Sequence, residues 1–102
     1  MTNHTALAAL VASTTASLQG PARFGWQKVF ISAVFAALPA GTFASLPAFK
    51  AWLVRAMPAG LVLLARADLV GAMDIGTVRA SEISDRGAEF HFVLDQAARA
   101  PY

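Results

Sequence analysis

Two histidines, six carboxylates and a scatter of hydroxyls are all this chain offers for chemistry. His91 has Glu89 two residues away, on the same face of an extended strand, a spacing that suits a ligand pair, a general acid–base pair or a surface salt contact. A metal site needs three or four converging ligands, and no second histidine stands at a useful spacing, since His4 lies at the far end of the chain. Glu82, Asp85 and Glu89 gather around one turn, where solvated charges keep a strand edge from pairing with other chains. The serines carry no G-x-S-x-G elbow, and there is no G-x-G-x-x-G and no phosphate-binding loop. Cysteine is absent, which excludes disulfide scaffolds, cysteine zinc sites and thiol catalysis. The expectation is a non-enzymatic protein with no catalytic residue, no metal, no cofactor and no small-molecule substrate.

The remaining candidates are cations. From residue 1 to residue 67 there are five bases (Arg23, Lys28, Lys50, Arg55 and Arg66) and no acid. The rest holds Asp68, Asp74, Glu82, Asp85, Glu89 and Asp95 against Arg79, Arg86 and Arg99. Segregated charge of this kind gives a folded domain a dipole and a route to a weakly basic face. Only 14% of residues are charged and 57% are hydrophobic, against a usual charged share of about 25%. A small domain with surplus apolar side chains often buries the excess against a partner.

The elements that position these residues follow from caps and periodicity. At 102 residues the chain is expected to be one domain, with an N-terminal helix in 1–19, a core over 24–94 and a frayed or briefly helical tail over 95–102. Asn3 or Thr5 caps the first helix, and Gly20-Pro21 ends it. A second helix is expected from Trp26 to Leu38, stopped by Pro39 and apolar nearly all round. Ser45 caps a third, 46–57, with Pro47 in its first turn and Leu46, Phe49, Leu53 and Ala56 on its buried face. Pro58 and Gly60 stop it before the apolar run Leu61–Ala65, which reads as a buried strand. Asp68 caps a short helical turn at 69–73. A hairpin closes the chain, with arms Val78–Ser84 and Ala88–Leu94 around Asp85-Arg86-Gly87. The pattern leaves open which arm pairs with 61–65.

The uncharged run 29–49 matches a membrane span in length, yet Pro39, Gly41, Thr42, Ser45 and Pro47 divide it into two elements. With no basic, signal-like start, a cytoplasmic protein is expected.

Helix, helix, turn, helix, strand and hairpin, carried by Trp26–Leu38, Ser45–Met57, Leu61–Arg66 and Ala88–Leu94, resemble the winged-helix superfamily. The resemblance implies an α+β fold of three main helices, a short strand and a C-terminal β-hairpin. It also implies that helix 46–57 is a recognition helix laid in a DNA groove, with Arg86 in a wing. Under it Lys50 and Arg55 contact phosphate or base, flanked by Arg66 and Arg86. Ala48, Ala51 and Val54 share that outward face, which has no Asn, Gln or Ser for bidentate base reading. The alternative is therefore a protein-interaction or dimerisation module, with Phe35 and Trp52 as anchors. Trp52 also suits the core, being three residues from Phe49.

Overall fold

The computed structural model describes residues 3–68 and 70–99. Asn3 Oδ1 accepts the amides of Thr5 (2.9 Å) and Ala6 (3.2 Å) and so starts helix α1, His4–Ser17. Two of the amides that every helix start leaves without a partner are thereby satisfied. Ala8, Val11 and Thr15 form its buried stripe, and Thr15 hides its hydroxyl by donating to the Val11 carbonyl at 2.7 Å.

The expected helix 26–38 is corrected in its first part. Strand β1 (Arg23–Phe24) turns through Gly25, at φ 75°, into strand β2 (Lys28–Phe30), and only then does helix α2, Ile31–Ala37, begin. The reason lies in consecutive Val29 and Phe30, at most 4% exposed, which are buried in two different cores. A surface helix buries a stripe, whereas a covered strand buries both of its faces.

Helix α3, Leu46–Ala56, forms as expected: Ser45 Oγ accepts the Ala48 amide at 3.2 Å, and Phe49, Trp52, Leu53 and Ala56 are buried. Gly60, at φ 79°, lets the chain leave the helix, and its amide reaches the Met57 carbonyl at 3.0 Å. The expected strand 61–65 contracts to β3, Leu64–Ala65. A 3₁₀ turn, Val70–Ala72, overlaps the turn expected at 69–73, of which Leu69 lies outside the described residues.

The first arm of the expected hairpin is largely a fourth helix, α4, Ile75–Ser81. Asp74 caps it, Oδ2 accepting the Thr77 amide at 3.0 Å and the Thr77 hydroxyl at 2.7 Å. These bonds, the hydroxyl's first, hold the Asp74 carboxyl below its ordinary range, against a small opposing effect of burial. The cap therefore stabilises α4 fully above the unfolded carboxylate value and is lost as pH falls through the folded one. In a thermal series, wild type and Asp74→Ala should differ most near neutral pH and converge on acidification.

Strands β4 (Ile83–Asp85) and β5 (Ala88–Phe90) make a two-stranded hairpin, and after His91 the chain enters β6, Phe92–Leu94. The expected second arm is thus divided between two sheets. β6 lies inside the second of them, an antiparallel sheet ordered β1-β2-β6-β3, and so it is the partner of β3. Val29, Val93 and Leu64 stand opposite one another and face the main core with α1, α2 and α3. The next row, Phe30, Phe92 and Ala65, faces a second core containing Ala67 and Val78 of α4.

Arg86 and Gly87 form the β4–β5 turn, both with positive φ (51° and 81°). That conformation is costly for arginine and favours asparagine. Arg86→Asn should raise stability by about 0.5–1 kcal/mol, read as a higher urea midpoint with unchanged slope.

Among the described residues the chain is an α+β domain with four α-helices, one more than the three main helices expected, and antiparallel sheets. Asp95, expected in the tail, is buried. Among the described residues no helix is long and apolar enough to cross a membrane; β2, α2, a turn and α3 divide the run 29–49.

Candidate interaction surface

Helix α3 turns Phe49, Trp52, Leu53 and Ala56 inward, so its open side carries Pro47, Ala51 and Arg55, with Ala48, Lys50 and Val54 half-buried beside them. Lys50 and Arg55 are five residues apart, about 140° around the axis, and they border different depressions. Arg55 lines a cleft with His4, Trp52, Ala56, Ala59 and Leu61. Lys50 lines a groove of about 300 Å³ with Pro47, Ala51 and Val54 on one wall and Glu82, Ile83 and Ser84 on the other. Burial holds the Lys50 ammonium below the usual lysine range, and the Glu82 charge draws it partly back.

The other expected cations lie apart from these. Arg66 is exposed just after β3, and Arg86 is exposed at the tip of the β4–β5 hairpin. Of the remaining bases in the acid-free half, Arg23 is spent on an internal ion pair with Asp95 at 3.0 Å, and the Lys28 ammonium sits 5.7 Å from the centre of the Phe92 ring.

Trp52 is 3% exposed, in the chain's own core, and its Nε1 donates to His4 Nδ1 at 3.0 Å. Phe35 is half-buried, with its ring stacked on Phe49 at 6.1 Å, while Phe43 packs on both Phe49 and Trp52. These rings hold α2 and α3 together and support the outer surface of α3 from beneath.

His91 acquires a partner that its spacing did not suggest. Its ring is 3% exposed, Nδ1 accepts the Ala67 amide at 3.0 Å, and Nε2 faces Glu82 Oε1 at 3.5 Å. One ligand atom each from Glu82, Glu89 and His91 lie within 4.8 Å of one another. The hydrogen bonds argue against a cation there. With Nδ1 accepting an amide, the neutral ring carries its proton on Nε2, the nitrogen that faces the carboxylates, so no lone pair points at them. A metal-binding histidine has the reverse arrangement, donating its other N–H outward. Long-range ¹H–¹⁵N spectra of the neutral ring should show the Nε2–H tautomer, and added Zn²⁺ should leave that pattern unchanged. Sequence reasoning missed Glu82 because only the α4-to-β4 junction brings it to His91.

No family model, curated protein or solved structure matches the chain.

Proposed function

We propose that this chain is a winged-helix-type module that acts by binding a protein partner rather than by catalysis. Its element order supports the architecture: helix α1, strand β2, helices α2 and α3, strand β3 and, last, strand β6 between the other two strands. In that frame α3 takes the place of the recognition helix and the β4–β5 hairpin that of the wing. Both histidines are occupied in structural hydrogen bonds, which favours a non-enzymatic role.

The observation that carries the reading is the surface of α3. It offers Pro47, Ala51 and Val54, faces Ile83 across the groove, has Lys50 opposed by Glu82, and keeps one exposed cation, Arg55. A DNA reader needs several converging phosphate contacts and side chains that hydrogen-bond base edges. An apolar strip with a mixed-charge border suits the centre of a protein interface.

A photo-crosslinking side chain at position 51 of the full chain, in the host cell, tests this. One discrete protein adduct, absent when the group is moved to exposed Ser13 on α1, is the expected result. Nucleic-acid adducts, or none, would reject the reading.

DNA binding is the second reading, supported by Arg55, Arg66 and Arg86, all exposed and without a salt-bridging carboxylate among the described residues. Duplex DNA at low salt would then bind the wild type and lose affinity with Arg55→Ala/Arg86→Ala. A homodimer has its own candidate surface, the cross-strand row Phe24, Lys28, Leu94 and Leu63, ending at exposed Leu63. Light scattering would then show a dimer that Leu63→Glu dissociates.

A further inference from the structure

We propose that the groove between α3 and β4 takes an extended peptide segment, which adds to β4 as a third strand and sets a carboxylate against Lys50. This rests on the protein-binding reading and names the form of the partner.

The backbone of β4 carries the argument. Asp85 and Ala88 flank the two-residue turn and therefore exchange hydrogen bonds, and so do Ile83 and Phe90 two residues on. Ser84 and Glu89, between them, form a pair without hydrogen bonds. The Ser84 N–H and C=O therefore point away from β5, and no other backbone group among the described residues bonds to them. Ile83 and Ser84, from opposite faces of the strand, line the same groove, so it runs along the free edge of β4. Its far wall is helical and apolar, with Pro47, Ala51 and Val54. A free strand edge beside a helix is the geometry of strand addition, in which main-chain bonds supply affinity and alternate side chains fill the apolar wall. A helical partner has no spare backbone groups for Ser84; a strand has them.

Charge selects the occupant's chemistry. Glu82 acts on Lys50 only from the opposite wall and faces His91 Nε2 at 3.5 Å, so Lys50 feels its charge without a direct salt bridge among the described residues and keeps room for a carboxylate of its own. A segment lying over the half-buried Lys50 removes more of its water and must return a negative charge to it.

Selection of a displayed library of random linear peptides on the full chain, followed by synthesis of the tightest binder, tests the proposal. The binder should be acidic, should shift the amides of Ser84, Lys50 and Ala51 in ¹H–¹⁵N spectra, and should weaken about tenfold when the peptide nitrogen paired with Ser84 is methylated. Ser84→Pro should cause a similar loss, and Lys50→Met should remove the preference for acidic peptides. Methylation leaves the protein untouched, so folding defects cannot mimic its effect. No binder, shifts elsewhere, or a complex indifferent to methylation would overturn strand addition. A methylation-insensitive binder that Ala51→Glu abolishes would overturn it while sparing the protein-binding reading. Failure of every peptide together with specific DNA binding would reject both.

Discussion

Asp95→Ala is expected to cost about 3–5 kcal/mol, a large share of the 5–15 kcal/mol that holds a domain of this size together. The carboxylate is 6% exposed and pairs with the Arg23 guanidinium at 3.0 Å. That guanidinium also donates from Nε to the Leu18 carbonyl (2.9 Å), from Nη1 to Trp26 (2.9 Å) and from Nη2 to Thr15 (3.1 Å). One side chain thus ties the end of α1, the β1–β2 turn and the residue after β6. Removing Asp95 leaves a buried cation with no counter-charge, and removing Arg23 leaves a buried anion together with carbonyls that lose their donor. A double variant, Arg23→Met/Asp95→Leu, should recover part of the loss because the unpaired charge is gone. Full recovery is not expected, since the Leu18 and Trp26 carbonyls lack the guanidinium in either case. Urea denaturation of Asp95→Ala, Arg23→Ala and the double variant measures this; a loss below about 1 kcal/mol in both single variants would show that the pair is not structural.

Phe49→Ala is the second large effect, about 3–5 kcal/mol. Phe49 is fully buried where α2 meets α3, with its ring centre 5.0 Å from Phe43 and 6.1 Å from Phe35. Alanine would remove the transfer energy of the ring and leave a cavity that the helices cannot close without moving. Because the same cluster supports α3, the variant should also loosen the groove around Lys50 and Ala51. Ala51→Glu, on the exposed side of the same helix, should stay within about 0.5 kcal/mol of wild type. Similar losses at the two positions would mean that α3 is not packed through Phe49.

Much of the helical framework was legible because its signals are local. Asn3 and Ser45 as caps, Gly60 as a stop, and the spacing of Phe49, Leu53 and Ala56 each act within one or two turns. The turn at Arg86-Gly87 was legible for the same reason. Strand β2 was hidden because the run Val29–Phe35 is apolar apart from Ser32 and shows no clear period, and only burial between two layers distinguishes a strand from a central helix at its start. Helix α4 was misread although Asp74 and Thr77 carry a cap signature, because the alternating second arm beyond it invited a longer hairpin than forms.

For the candidate surface, the sequence established the exposed side of α3, its shortage of base-reading side chains and the presence of Lys50 and Arg55 on it. The tertiary structure decided that these two cations serve different depressions, that Trp52 belongs to the core, that Arg23 is joined to Asp95 and that His91 meets Glu82 and Ala67. The difference is one of range. Caps and periodicity are interactions between near neighbours, so they are written in short stretches of sequence. Strand partners and buried polar pairs join residues far apart in the chain, 72 positions for Arg23 and Asp95, and are chosen only when the whole core closes around them.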